Sequence, residues 1–140
     1  MASASSPPSP FPVVVHPYRS PIPRACAYEL MCDPSRPSPS LKHAVVFIGG
    51  LGDGPHTVPY VRTIAQGLAA AEPALGYSVF EVRLSSSFSG YGFGSLGKDV
   101  EEVSALVKYL KEELGREKVV LMGHSTGCQV GSGSSYRVSL

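Results

Sequence analysis

Tryptophan is absent from this 140-residue chain and charge is scarce, with Asp, Glu, Lys and Arg at 16% and a formal net charge of +1. So even a balance leaves no electrostatic footprint for nucleic acid or an anionic membrane surface, and neither is expected as a partner. No uninterrupted apolar run approaches the roughly 20 residues that cross a bilayer. Cys26, Cys32 and Cys128 are odd in number and share no metal-ligand spacing, so neither a disulfide framework nor a metal site is expected. Free thiols point to an intracellular, cytoplasmic chain. One further scarcity has a position. All four histidines (His16, His43, His56 and His124) precede Ser125, and no histidine, aspartate or glutamate follows Gly127.

What is plentiful is unevenly placed. Pro7, Pro8, Pro10, Pro12, Pro17, Pro21 and Pro23 crowd the first part of the chain, where they oppose helix and central strand alike. Residues 1–40 are therefore expected to form a largely disordered, Pro/Ser-rich leader, with Arg24–Met31 able to make a short strand. Phe11–Val15 is too short and too broken by proline for a secretory signal. Arg19, Arg24 and the lack of an acidic residue before Glu29 overlap with an organelle transit peptide, but the proline density opposes the amphipathic helix such peptides form.

From Lys42 the pattern changes. His43–Ile48 is a β-branched and aromatic run, as expected of a strand buried on both faces of a parallel sheet. Gly49–Pro55 stops it. A helix follows, with Thr57 as N-cap, Pro59 in its first turn and Val61, Ile64, Ala65 and Leu68 on its apolar stripe. Tyr77–Leu84 is a second strand. Leu96, Val100, Val103, Val107, Leu110 and Leu114 stripe a second helix capped near Ser95, with Lys98, Asp99, Glu101, Lys108, Lys111 and Glu112 toward water. Gly115 suits its C′ position. Lys118–Met122 is the third strand. Strands alternating with helices across short connections predict right-handed crossovers and an α/β fold, three layers around a small, mainly parallel sheet.

That third strand runs straight into Gly123-His124-Ser125-Thr126-Gly127. A G-x-S-x-G sequence at the carboxyl end of a buried strand is the pattern of a nucleophile elbow, in which flanking glycines let backbone pass close to a sharply turned serine. By itself the pattern would equally describe a turn. Acyl transfer also needs N–H groups aimed at a developing oxyanion, each worth about 3 kcal/mol. Thr126 would supply one, and the Gly49–Gly54 loop the other, through Leu51 with Gly50 or Gly52 close behind. As a phosphate loop that segment fails, since no Gly-Lys-Ser/Thr follows. Gly92–Gly97 matches G-x-G-x-x-G, but it starts too far beyond its strand for dinucleotide binding, so no cofactor is expected. His56 could line a pocket beside the loop, and His124 suits packing on the side away from Ser125.

Three segments together carry a more specific signal: Val46–Gly54, Leu84–Gly92 and Leu121–Gln129. On them, the chain resembles the front half of the α/β-hydrolase family that includes the fungal siderophore (fusarinine C) esterases. The resemblance implies a serine esterase acting on small-molecule esters without metal or organic cofactor. In it Ser125 is the nucleophile, Leu51 and Thr126 form the oxyanion hole, and Gly123 and Gly127 are the elbow glycines. It also implies that the acid and the histidine come from units beyond Gln129, where this chain instead has a Gly/Ser-rich tail over 130–140. The partial domain is thus 41–129, and the expectation is a truncated, inactive form. The alternative is a non-catalytic interaction module that self-associates through the edge strand left uncovered at Val119–Met122.

Overall fold

The computed structural model describes residues 9–32, 41–88 and 96–133. At the centre of the sheet is β3 (His43–Ile48), whose side chains alternate between the two faces as extended chain requires. Val45 and Phe47 enter one apolar cluster, while Ala44, Val46 and Ile48 enter the other. β4 (Tyr77–Arg83) and β5 (Lys118–Gly123) flank β3 in parallel, with Val45 in register with Val79 on one side and Val120 on the other. Helix α1 (Tyr60–Ala70) covers the Val45 face through Val61 and Ala65. The opposite face is covered by α2 (Leu96–Glu112) and α3 (Gly127–Gly133), through Val103, Leu106, Val107, Leu110 and Val130. Helices on both faces give the expected three-layer α/β/α arrangement.

Two further strands extend the sheet inside the segment expected to be a disordered leader. β1 (Val13–Pro17) pairs antiparallel with β2 (Cys26–Leu30), and β2 pairs antiparallel with β4. The order is β1-β2-β4-β3-β5, and four of the five strands run the same way. β2 is the short strand anticipated within Arg24–Met31, whereas β1 corrects the expectation. Its prolines explain the difference: Pro12 precedes β1 and Pro17 ends it, and an edge strand can leave a missing N–H on its solvent side. Residues 1–8 and 33–40 of that segment lie outside the described residues.

A buried polar network fastens this hairpin to the sheet. Glu29 is 0% and Arg116 3% exposed, and Arg116 Nη2 donates to Glu29 Oε2 at 3.0 Å. Arg116 Nη1 donates to the Leu41 carbonyl at 2.7 Å, tying the start of β3 into the same group. His16 on β1 lies 3.2 Å from Glu29 Oε1 through Nε2 and 3.0 Å from the Tyr109 hydroxyl of α2 through Nδ1. Burial pushes the Arg116 guanidinium below its ordinary value, and the Glu29 carboxylate opposes that shift.

Other local expectations shift for physical reasons. Thr57 does not cap α1; its hydroxyl donates to the Gly54 carbonyl at 2.7 Å, and Pro59 precedes the helix without a side-chain cap. Leu96 is 47% exposed rather than part of the α2 stripe, and Asp99 is buried rather than water-facing. Asp99, Glu102, Leu106 and Leu110 recur at steps of three and four, so the buried stripe begins with two carboxylates. Gly115 has φ 68, the left-handed conformation expected of a C′ residue. α3 continues to Gly133, although a flexible tail is expected from Val130; Val130 is 2% exposed and anchors the helix in the α2-side core. Ser95 and residues 134–140 lie outside the described residues. Cys26, Cys32 and Cys128 are free thiols. No helix among the described residues is long and apolar enough to cross a membrane.

Candidate active site

Between the end of β5 at Gly123 and the start of α3 at Gly127 the chain turns through three residues, and Ser125 takes φ 56. For a residue with a Cβ that conformation is strained and persists only where its surroundings hold it. Here they do. The His124 N–H donates to the Ile48 carbonyl at 2.9 Å, the Gly127 N–H to His124 at 2.9 Å and the Cys128 N–H to Ser125 at 3.0 Å. Gly127 is forced by close approach, because a Cβ there would lie 2.1 Å from the Ile48 oxygen. A Cβ at Gly123 would lie 2.5 Å from the Cys128 nitrogen.

The loop after β3 comes up against Ser125. A Cβ built on Gly50 would stand 3.1 Å from Ser125 Cβ and 3.2 Å from Asp53 Oδ2. Asp53 closes this loop, its N–H donating to the Gly50 carbonyl at 3.0 Å and its Oδ2 accepting the Gly50 N–H at 2.9 Å. The Gly50 N–H is thereby committed. Among the described residues, the N–H groups of Leu51 and Thr126 have no hydrogen-bond partner. Sequence reasoning missed Asp53, although a short acidic side chain three residues after a glycine is a recurrent way to bind local backbone.

No histidine among the described residues hydrogen-bonds Ser125. His124 is exposed rather than packed away, its Nδ1 2.9 Å from the Tyr60 hydroxyl at the start of α1. His56 lines a cavity, as anticipated, with φ 73, its N–H donating to Glu81 Oε2 at 2.7 Å and its Nε2 3.2 Å from Arg62 Nη2. No group of three His, Cys, Asp or Glu among the described residues is arranged to hold a metal ion. Of the Gly92–Gly97 motif, only Leu96 and Gly97 fall among the described residues.

The loop leaving β4 is tied down by the two α2 carboxylates that the sequence did not mark. Ser85 donates through N–H and hydroxyl to Glu102, at 3.0 and 2.9 Å, and the Ser86 hydroxyl donates to Asp99 Oδ2 at 2.7 Å. Asp99 Oδ1 is buried without a partner. Burial pushes both carboxyls above their ordinary values; the Asp99 charge pushes Glu102 further, and the Ser85 and Ser86 bonds oppose. A raised folded value means the fold favours the protonated acid. This contribution to stability is complete below the unfolded Glu102 value of 4.5 and is lost as pH rises through the folded one. Glu102→Gln cannot titrate. Urea unfolding should therefore show wild type losing stability relative to Glu102→Gln as pH rises above 4.5.

This geometry has known counterparts. Residues 1–131 match the model of the family described as "Protein of unknown function (DUF1749)". The chain belongs to that family. Within reach of this DUF1749 chain are the fusarinine C esterase sidJ of Aspergillus fumigatus, 39% identical over 95 residues, and esterase AN6793 of Emericella nidulans, 38% identical over 133 residues. The alignments take in 62% and 89% of this chain but 26% and 32% of those relatives. Among solved structures, the siderophore hydrolase EstB of Aspergillus fumigatus superposes with TM-score 0.70 at 32% identity, over 89% of this chain and 36% of that one. The fold is that of the α/β hydrolases, the family is of ester-hydrolase type, and the DUF1749 chain spans about a third of its relatives' length.

Proposed function

We propose that this chain carries the nucleophile end of a serine esterase site. Ser125 Oγ attacks an ester carbonyl carbon, and the N–H groups of Leu51 and Thr126 receive the oxyanion. Support comes chiefly from the left-handed φ of 56 at Ser125, held against the Gly50 loop with both N–H groups uncommitted. Such strain at a surface serine finds its explanation in presenting a hydroxyl. The proton that Ser125 must give up has no histidine acceptor among the described residues, and a serine alcohol without a base is a poor nucleophile near neutral pH. These 140 residues alone are therefore expected to show no turnover, or only the trace of about 10³-fold over water that binding and an oxyanion hole alone sustain.

Fluorophosphonate labelling of the purified chain, with mass-spectrometric site assignment, tests this. We expect slow labelling of Ser125, abolished in Ser125→Ala, with no saturable turnover of p-nitrophenyl acetate. Labelling that survives Ser125→Ala removes the nucleophile assignment; saturable turnover lost in Ser125→Ala removes the inactivity. A second reading rests on β5, which pairs with β3 alone among the described strands and exposes Val120 by 37%. In it, the chain is a non-catalytic module that self-associates through this edge. Concentration-dependent dimers in sedimentation, without any labelling, would favour it.

A further inference from the structure

A cavity of about 500 Å³ opens beside the Gly49–His56 loop, in the size range of small-molecule sites. Its wall includes Tyr28 on β2, Glu81 and Arg83 on β4, Arg62 on α1, and His56 and Phe88 from the loops after β3 and β4. The same loop that sets Gly50 against Ser125 thus reaches this wall six residues later.

Three features of the wall point to a ligand. Neither Arg62 nor Arg83 forms a salt bridge among the described residues, and both guanidinium groups line one cavity, where Glu81 acts on Arg62 only through the longer-range field. The acidic residue in the wall, Glu81, is 3% exposed and already accepts the His56 N–H; burial pushes its carboxyl upward, while that hydrogen bond and the His56 and Arg62 charges oppose the shift. Arg62 is fixed in place, 4.7 Å over the Phe11 ring and bonded to His56 Nε2. Finally, His56 (φ 73) and Phe88 (φ 62) are both strained left-handed residues, and Phe88 is 65% exposed on this rim. Aromatic walls suit an apolar body, and paired guanidiniums suit a planar anion bound through two oxygens. A carboxylate fits better than a phosphate dianion, which is costlier to strip of water in a largely apolar cavity.

We propose that this cavity binds the carboxylate-bearing part of an organic substrate, so that the site takes acidic esters or their acid products. Its role as a substrate subsite rests on Ser125 being the nucleophile; the binding does not.

The full chain, titrated by amide NMR with naphthylacetate and with its neutral amide, naphthylacetamide, tests the proposal. The acid should bind at least about tenfold more tightly than the amide, moving the His56 and Phe88 resonances. Arg83→Gln and Arg62→Gln should each weaken acid binding by about tenfold while leaving amide binding unchanged, the size expected for a hydrogen bond to a charged group. Exposed Arg83 carries the test should Arg62→Gln unfold. Equal affinity for acid and amide, no binding of either, or acid binding indifferent to Arg83→Gln overturns the proposal. Ser125→Ala should bind naphthylacetate like wild type while losing fluorophosphonate labelling, so failure of the subsite and failure of the nucleophile are seen separately.

Discussion

Arg116→Met should lower the free energy of unfolding by about 3–5 kcal/mol in urea titrations, because it leaves Glu29 buried and charged with its strong donor gone. At 0% exposure that carboxylate has no water to turn to, and the Leu41 carbonyl loses its 2.7 Å donor at the same time. Removing one partner of a buried pair costs more than the pair contributes, so the double variant is the informative comparison. Arg116→Met combined with Glu29→Leu should recover much of the loss, since well-packed apolar replacements of buried ion pairs are often neutral or better. A double variant as unstable as the single one would mean that the Arg116 contacts to backbone, rather than its charge pairing, hold the hairpin.

Gly127→Val should be as damaging for a steric reason. A Cβ at this position meets the Ile48 oxygen at 2.1 Å and the Gly49 oxygen at 2.6 Å, both backbone atoms at the end of the central strand. No side chain can swing aside, so β3 and the Ser125 turn must separate. Overpacking commonly costs about 1–3 kcal/mol where side chains can yield, and here the cost should exceed that range. Gly67 is the control. It lies inside α1 with nothing within 4 Å of a built Cβ, and Gly67→Ala should stabilise the protein by about 1 kcal/mol. Thermal unfolding of the two variants should move in opposite directions. Equal, small shifts would contradict the close approach of Ile48 to the turn.

These two predictions also mark what could be read from sequence. Gly127 was legible because the G-x-S-x-G pattern is local: strand, turn and glycines lie within a dozen residues, and steric need selects them one by one. The three βαβ strands were legible for a similar reason, since His43–Ile48 has no polar face to mistake. Arg116 and Glu29 were not. Their partnership spans 87 residues, and each alone reads as an ordinary charged residue, one after a helix and one in a proline-rich segment. Asp99 and Glu102 failed differently. Their helical phase puts them on the buried stripe, but their charge argues for water until the Ser85 and Ser86 donors are seen. The cavity arginines were unreadable because α1 and β4 meet there only in three dimensions.

The seating of the β1–β2 hairpin bears on how the molecule is born. It precedes β4 and Arg116 in the chain, yet it docks on β4 and is clasped by Arg116, both encoded far downstream. Such non-local pairing delays closure until the intervening chain has emerged. Until then Glu29 stays hydrated in a nascent polypeptide, and the hairpin waits, unfolded and accessible to chaperones, for a residue that the ribosome has yet to add.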